Sequence, residues 1–256
     1  MTALIKFFGV NKIDEATTPT FTSANTSLFS YLYDNDRTTR LTSIGSNDAT
    51  PEVWVLDFGS SQTFDRVFID NHNIKSGNLK YWNGASYVAF STAISWSANS
   101  ATINYYEFTA VATTKIQLTM NTTISANDQK RVGTLIAFSE IGTVLVNPTA
   151  MPISFPERSI SNKGATNGSV YVLFGKKYKA DIAFSDASIT DILLFETLKN
   201  YATPFYIYPC GGDGQTELGF RLQDIFLVNY TSEFNPNINN NLFGIGQNLT
   251  MTVEET

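Results

Sequence analysis

The stretch NLKYWNGASYVAF, residues 78–90, decides the fold class. Two runs rich in strand-forming residues flank Asn83 and Gly84, and Asn-Gly between such runs predicts a β-hairpin with a type I′ turn. Working outward, further short runs of the same kind lie at 53–58, where Gly59 ends the run, and at 66–70. The run KIQLTM at 115–120 alternates with period two, as a half-buried strand does. The spacing of these runs predicts a β-sandwich without a helix.

The composition of the 256-residue chain agrees with a β-rich fold and excludes several classes of partner. Hydrophobic residues make up 43%, enough for a core, and the 13% of aromatic residues favours strands. The net charge of −6 leaves no broad basic surface, so nucleic acid is not an expected partner. The longest apolar run, residues 132–146, includes Glu140 and is too short for a membrane span.

The residues that usually carry catalysis are scarce. Cys210 is the only cysteine and His72 the only histidine, which excludes an intrachain disulfide, a cysteine zinc site and a two-histidine metal site. No nucleophile elbow and no glycine-rich phosphate loop occur, and nothing marks a pair of catalytic carboxylates. We therefore predict that the protein is not an enzyme. The first ten residues carry no signal-peptide pattern.

The second half of the chain has a different pattern. Residues 170–174 and 178–184 predict a hairpin around a Gly-Lys-Lys turn. The chain's one convincing helix is predicted from about Ser188 to Tyr201, because Ser188 and Asp191 have capping-box spacing and Pro204 ends the pattern.

The domain organisation follows from these patterns and from a proline-containing polar stretch near residue 150. An apolar N-terminal segment of this kind pairs with another element or subunit, or forms the first strand of its own sheet; both readings stay open. We predict an N-terminal arm or first strand at 1–27, a β-sandwich at 28–147, a linker at 148–156, and a β-rich α+β domain with one helix at 157–256.

Polar residues that follow strand ends are the candidate ligand-binding residues. In a β-sandwich the loops at one end converge, so residues far apart in sequence form one surface. An aromatic ring in such a surface stacks on the apolar side of a sugar, and cations and amides bind its hydroxyl groups. The alternative for each residue is a solvated loop position, and for His72 a local hydrogen bond. The candidates are Arg37, Arg40, His72, Lys75, Trp82, Lys130 and Arg131.

Asp34, Asn35 and Asp36 form a compact cluster of oxygen ligands, which suits calcium. The spacing matches the start of an EF-hand loop, but the glycine at its sixth position and the glutamate at its twelfth are missing. The alternative is an Asx-turn, in which these side chains accept hydrogen bonds from their own backbone.

Two segments resemble a known module. LYDNDRTTR at 32–40, followed by VWVLDFG at 53–59, resembles the opening of a discoidin (coagulation factor 5/8 C-type) module, with Phe58 where leucine is usual and Arg40 where tryptophan is common. WNGASY at 82–87 is similar to its exposed hairpin, and FSEI at 138–141 to its closing strand.

The resemblance covers residues 28–147 and implies a jelly-roll β-sandwich of the galactose-binding-like type. It also implies a structural calcium ion at Asp34, Asp36 and Glu140. Sugar or lipid binding is frequent in the family but depends on the loops, so it does not follow from the fold.

The C-terminal part resembles the β domains of tailed-bacteriophage distal tail and baseplate proteins. The residues concerned are TPFYIYP at 203–209, FRLQDI at 220–225 and LTMTVEE at 249–255, although the order of the two domains departs from the usual distal tail protein. The resemblance implies a ring-type homo-oligomer, other phage tail proteins as partners, and a place in the virion tail after synthesis in the host cytoplasm.

The function expected first is therefore that of a structural subunit of a phage tail tip or baseplate, with a carbohydrate-binding-like domain on its outside. The alternative is a carbohydrate-binding adhesion module that recognises a host cell-surface glycan. A third hypothesis, a glycan hydrolase with an accessory module, requires a carboxylate pair in the second domain. Structural calcium is the only cofactor expected.

Overall fold

The computed structural model describes residues 5–36, 38–45, 47–144, 153–154, 157–163, 169–176, 179–201, 203–208, 226–230, 237–241 and 244–255. These residues are mostly β, as predicted, and their paired strands form antiparallel sheets. The strands, in chain order, are β1 Ile5–Phe8, β2 Thr18–Phe21, β3 Leu41–Thr42, β4 Glu52–Asp70, β5 Ile74–Trp82, β6 Tyr87–Val88, β7 Ile94–Trp96, β8 Asn104–Thr123, β9 Arg131–Val132, β10 Thr134–Phe138, β11 Glu140–Val144, β12 Ile153–Ser154, β13 Glu157–Lys163, β14 Ser169–Lys176, β15 Lys179–Ala187, β16 Phe205–Tyr208, β17 Phe226–Tyr230, β18 Asn237–Asn241 and β19 Gly244–Glu255. The helices are α1, Ile189–Lys199, and a 3-10 helix, Thr26–Leu32.

The chain divides into two compact units. One is Gly9–Glu140, called the sandwich unit below, and the other consists of Met1–Phe8 and Ile141–Thr256, called the second unit. The sequence placed the first boundary at residue 28 and the linker at 148–156. Residues 145–152 lie outside the described part of the chain, and β12 begins directly after them.

Two long strands, β4 and β8, form the centre of the sandwich unit. They pair along most of their length, from Glu52 opposite Met120 to Ile69 opposite Asn104, and the register shifts between Asp57 and Gln62 and again between Phe64 and Arg66. Gly59 has a φ of 71°, which a residue without a Cβ adopts readily, and this permits the bend. Before the bend β4 also pairs with β2, and after it with β10. The sequence predicted two strands separated at Gly59; the structure has one strand that bulges and continues.

The hydrophobic core of the sandwich unit draws on both halves of these strands. Trp54 and Leu56 precede the bend of β4, and Phe64 and Val67 follow it, yet all four are buried in one cluster. The two halves therefore cover opposite sides of a shared core. Side chains that point away from this core form the outer faces, because successive residues of a strand point to opposite sides.

The predicted hairpin after residue 78 is present with a different turn. Trp82 pairs with Tyr87, so the loop has four residues, not the two of a type I′ turn. The side-chain oxygen of Asn83 accepts hydrogen bonds from the backbone N–H groups of Ala85 and Ser86, both at 2.9 Å. Asn83 is absent from the described residues with positive φ, whereas Gly84 has φ 99°. The asparagine therefore closes the loop with its side chain and does not take a left-handed turn position.

The second unit is built around a sheet in the order β11-β1-β16-β17-β19-β15-β12. β1 pairs with β16, with Phe7 opposite Ile207, so the N-terminal segment pairs with a distant element, one of the two predicted readings. Phe7 also meets Phe195 of α1, with ring centroids 6.1 Å apart.

The helix prediction is confirmed and the hairpin prediction for this half is wrong. The Ser188 side chain accepts from the backbone N–H of Asp191, whose carboxylate accepts from the Ser188 backbone, completing the capping box. β14 pairs with β13, whereas β15 pairs with β19 and β12, so the two strands around the Gly-Lys-Lys turn lie in different sheets. None of the helices in the described part of the chain has the length and apolar character needed to cross a membrane.

Candidate functional site

His72 is a buried structural residue. It follows β4 and is 1% exposed. The backbone N–H of Ile74 donates to its Nδ1 at 3.1 Å, so the ring proton lies on Nε2, which is 2.7 Å from the Asn104 side-chain oxygen. Burial lowers the pKa of His72 to about 4, so the ring is neutral near pH 7. Its ring nitrogens are both engaged within the fold, which is the local role that the sequence left open.

Lys130 is fully buried, although the sequence placed it among loop cations. Its Nζ donates to the backbone carbonyl of Thr50 at 2.7 Å and to that of Asn47. Burial lowers the pKa of Lys130, and the charges of Asp48 and Glu52 partly oppose this shift. The ammonium group therefore holds the loop before β4 in place.

Arg131 belongs to the same region and is half-buried. Its NH1 lies 3.0 Å from the Asp128 carboxylate, and its backbone N–H donates to the Asn73 side chain at 3.0 Å. Asn73 also donates to the carbonyl of Gln129 at 2.8 Å, which joins the loop after β4 to the loop after β8. The structure thus brings His72, Lys130 and Arg131 into neighbouring loops, but their polar groups mainly stabilise those loops.

Arg40 and Lys75 are exposed at the same end of the sandwich unit: Arg40 directly precedes β3, whose Thr42 is opposite Arg131, and Lys75 follows His72 at the start of β5. Arg37 lies outside the described residues. Trp82 is at the far end of the nine-residue strand β5, about 26 Å from the loop end at the strand's rise per residue.

The acids predicted to bind calcium make other contacts. Asp34 accepts from the backbone N–H of Asp36 at 2.9 Å, and Asp36 accepts from that of Thr38 at 2.8 Å, so both form the Asx-turns named as the alternative. The hydrogen bond from the Thr38 side chain, followed by the one from its backbone, lowers the pKa of Asp36. Glu140 instead lies 2.5 Å from Arg66. Among the described residues no group of three or more His, Cys, Asp or Glu side chains suits a metal ion. The calcium site remains a prediction.

A different group of side chains surrounds Trp82. Trp82 and Tyr87 are half-exposed, and their ring centroids lie 5.1 Å apart at an interplanar angle of 62°. Lys115 and Asp57 form an ion pair, with Nζ 2.7 Å from Oδ2 and side chains that are 38% and 33% exposed. Burial raises the pKa of Tyr87, and the charges of both Lys115 and Asp57 also act on it.

The strand register explains why these four residues meet. Trp82 is opposite Tyr87, and Asp57 is opposite Lys115. Tyr81 is opposite Ile116, so the next pair along the same two strands is Trp82 with Lys115. Tyr87, Trp82, Lys115 and Asp57 thus follow one another across β6, β5, β8 and β4, and this set is called the aromatic row below.

The aromatic row lies on the outer face of the sheet. Its strand neighbours Leu56, Tyr81 and Ile116 point into the hydrophobic cluster, so the residues next to them point away from it. Each aromatic ring therefore presents an apolar surface beside a cation and an anion, at the edge of the sandwich unit farthest from the loops considered above.

Thr113, two residues before Lys115 on β8, helps to fix the position of the aromatic row. It is 3% exposed, and its hydroxyl oxygen lies 2.7 Å from the carbonyl of Trp82 and 2.9 Å from that of Lys115, so its one proton is shared between the two acceptors. The Lys115 backbone N–H donates back to the same oxygen at 3.2 Å. One buried hydroxyl therefore ties the strand that carries the tryptophan to the strand that carries the lysine.

The ion pair is also held on its acidic side. The Gly59 backbone N–H donates to the second carboxylate oxygen of Asp57 at 3.0 Å. Hydrogen bonding from Lys115, then from Gly59, lowers the pKa of Asp57, and the same ion pair raises the pKa of Lys115. Both groups are charged near neutral pH and are preorganised.

Comparisons with solved structures return carbohydrate-binding modules. Chitosan-binding module 1 of a chitosanase/glucanase from Paenibacillus sp. IK-5 is 20% identical and aligns 50% of this chain with 97% of its own, at a TM-score of 0.41. A module from Clostridium perfringens in complex with GalNAc-β-1,3-galactose is 14% identical, over 51% of this chain and 99% of that one, at 0.40. The family 32 module of NanJ from C. perfringens, in complex with galactose, is 16% identical, over 52% and 99%, at 0.41. These similarities are too low to assign a function.

No protein-family model and no curated protein matches the chain.

Proposed function

We propose that the sandwich unit binds carbohydrate and that the aromatic row is its binding site. The observation that carries the proposal is the position of the half-exposed Trp82–Tyr87 pair directly beside the Lys115–Asp57 ion pair. A sugar ring has an apolar face of C–H groups and a rim of hydroxyl groups, and it needs both kinds of surface at once. Aromatic rings supply the first, and a paired donor and acceptor supply the second.

The preorganisation of the row supports the proposal energetically. Binding costs conformational entropy wherever a free side chain must be ordered, and a long lysine chain is among the more expensive. Here the Lys115 side chain is already held by Asp57, and the Trp82 ring packs against the ring of Tyr87. The ligand therefore meets groups that are fixed before it arrives.

The same arrangement favours binding over catalysis. A general acid and base need pKa values near the working pH and an open proton-transfer position. The ion pair moves the pKa values of Asp57 and Lys115 further from neutrality, in opposite directions. We propose a binding role without a chemical step at this site, in line with the sequence-based expectation.

A glycan array probed with the full-length protein tests the proposal. Ligands that bind are then titrated by calorimetry against the wild type, Trp82→Ala and the matched control Tyr31→Ala, a half-buried aromatic on the 3-10 helix. We expect Trp82→Ala to lower affinity at least tenfold and Tyr31→Ala to leave it unchanged. Absence of binding to every glycan, or equal loss in both variants, contradicts the proposal.

A structural subunit of a phage tail is the second candidate, and one observation in the second unit favours it. On α1, Ile189 and Leu193 are four residues apart and therefore share a helix face, where they are 64% and 56% exposed. Exposed large apolar side chains on one face are typical of contacts between proteins. This function is compatible with carbohydrate binding by the sandwich unit.

Native mass spectrometry with negative-stain imaging, over a concentration series, tests assembly. A ring or a fixed oligomer that is lost in the double variant I189S/L193S supports the tail-subunit function. The double variant I44S/T109S, on the sandwich unit, is the control because both side chains are exposed there. A monomer at all concentrations contradicts the self-assembly proposed here, and carbohydrate binding is then decided by the glycan array alone.

A further inference from the structure

We propose that the ligand is a linear oligosaccharide that lies across the strands of the sandwich unit, so that a single sugar fills only part of the site. This inference rests on the proposed function and goes further, because it fixes the length and direction of the ligand. It is drawn from the continuation of the aromatic row beyond Asp57.

The row continues onto a fifth strand. Thr18 of β2 is opposite Asp57, and Thr20 is opposite Val55. Between these two, Pro19 is opposite Leu56, which points into the core. Thr18 and Thr20 therefore point outward with Asp57, and both are exposed.

The length of the extended row exceeds that of one sugar ring. Tyr87, Trp82, Lys115, Asp57 and Thr18 lie on five adjacent strands, β6, β5, β8, β4 and β2. With neighbouring strands about 4.8 Å apart, the four intervals span about 19 Å. A site of that length has room for several sugar rings in line.

The side chains along the row change from aromatic to charged to hydroxyl, and each kind binds a different part of a chain of sugars. The aromatic rings at one end offer stacking to one or two sugars. The Lys115–Asp57 pair in the middle offers both a donor and an acceptor, and its two charges cancel. At the far end the Thr18 hydroxyl both donates and accepts, as a sugar hydroxyl does. A monosaccharide stacked on Trp82 leaves this far end empty.

The placement of the row on a sheet also fixes direction. Each row residue comes from a different strand, so a ligand that follows the row runs perpendicular to the strands. Along β8 the outward residues next to Lys115 are Thr113 and Gln117, but Thr113 is buried and bonded to two carbonyls. A ligand running parallel to β8 therefore meets a buried group at Thr113 on one side of Lys115 and only the half-exposed Gln117 on the other, whereas the row offers an exposed or half-exposed group at each strand.

Calorimetry with oligosaccharides of one to six rings tests the inference. The probes are neutral chito-, cello-, malto- and galacto-oligosaccharides, each series titrated into the full-length protein. We expect the association constant in the preferred series to rise at least tenfold between one ring and four, and then to level off. The plateau reports the length of the site.

The Thr18→Val variant distinguishes one long binding site from a short site that a long ligand can occupy in several alternative positions. It removes the far hydroxyl and keeps the branched shape, and Thr109→Val, at an exposed position on the other half of β8, is the control. We expect Thr18→Val to weaken binding of the four-ring ligand about fivefold and to leave the one-ring ligand unaffected.

The outcomes separate the inference from the function on which it rests. Equal affinity for one ring and for six, or a length dependence that Thr18→Val does not change, overturns the extended site while carbohydrate binding stands. Absence of binding in every series at every length overturns both.

Discussion

The Nζ atom of Lys115 lies 2.7 Å from the Oδ2 atom of Asp57, its direct partner across β8 and β4. The pair forms the charged end of the aromatic row and stands between the two aromatic rings and Thr18 of the extended row. An ion pair this exposed contributes little to stability, because water screens it. The proposed function assigns it a role in binding, because it lies beside two aromatic rings.

Replacing Lys115 by glutamine therefore should affect binding much more than folding. We expect Lys115→Gln to weaken glycan binding on the order of tenfold, the usual loss for a charged hydrogen bond, and to leave the melting temperature within a few degrees of wild type. Calorimetry and thermal melts measure the two effects. Lys75→Gln is the control, since Lys75 is exposed at the opposite end of β5. Equal changes in both variants would show that the lysine acts only through net charge.

Thr113→Val tests the buried threonine beside the row. The valine keeps the branched shape but removes the hydroxyl whose proton the Trp82 and Lys115 carbonyls share. We expect the free energy of unfolding to fall by about 1–3 kcal/mol, the cost of a buried group left unsatisfied. Affinity should fall as well, because Trp82 and Lys115 lose their shared anchor. Urea unfolding and calorimetry check the two values. An unchanged free energy of unfolding would show that the Thr113 hydroxyl is not needed to hold β5 and β8 together.

Lys130→Met tests whether Lys130 is a structural residue. Its ammonium bonds two backbone carbonyls inside the loop before β4 and lies near Asp48 and Glu52. We expect a loss of about 3 kcal/mol in the free energy of unfolding, because removing a buried cation leaves its partners uncompensated. The exposed Lys75→Met should change it by less than about 0.5 kcal/mol. A Lys130→Met protein that is fully stable but no longer binds glycan would restore the loop-end site predicted from sequence.

The sequence identifies the elements of this fold better than their pairing. The hairpin after residue 78 and the capped helix at Ser188 depend on residues a few positions apart, so local patterns suffice. The hairpin predicted between β14 and β15 failed because β14 pairs with β13, from a segment with no strong strand signal. Local turn chemistry does not reveal a competing partner.

The position of the aromatic row is a second feature that local sequence patterns do not predict, because it depends on which strands pair. Asp57, Lys115 and Trp82 are neighbours because β8 pairs with β4 on one side and with β5 on the other, in registers that place Asp57 opposite Lys115 and Trp82 next along from Tyr81–Ile116. The choice of partner strands and their register is set by tertiary pairing, so it cannot be derived from the local residue pattern alone. The sequence places Trp82 among the ligand-binding candidates and in a segment that resembles an exposed hairpin, but it groups Trp82 with loop residues that lie at the other end of β5. The burial of His72 and Lys130 is equally a tertiary effect.

His72 makes stability depend on pH in a defined direction. Its folded-state pKa of about 4 is below the unfolded value of about 6.5, so the unfolded chain takes up the proton first as the pH falls. The contribution of the neutral His72 ring to the free energy of unfolding is therefore fully present above pH 6.5 and is lost as the pH falls from 6.5 to 4. Between pH 7 and pH 5 we expect a loss of about 2 kcal/mol from this residue. Urea unfolding of wild type and His72→Gln at both pH values isolates it, and equal pH dependence in the two proteins would contradict a neutral buried ring.

The Asp34–Asp36 turn distinguishes backbone capping from calcium binding. Asp36 accepts hydrogen bonds from the backbone and side chain of Thr38, and Asp34 accepts one from the Thr39 hydroxyl at 2.9 Å. If these bonds are its whole role, Asp36→Ala lowers the melting temperature by the same few degrees in calcium chloride and in EDTA. We expect that result from the geometry. A wild-type melting temperature that rises with calcium, and no longer does so in Asp34→Ala or Glu140→Ala, would instead support the calcium ion that the discoidin resemblance implies. Asp128→Ala is the control for a general loss of surface acid, because its carboxylate pairs with Arg131 in a separate loop.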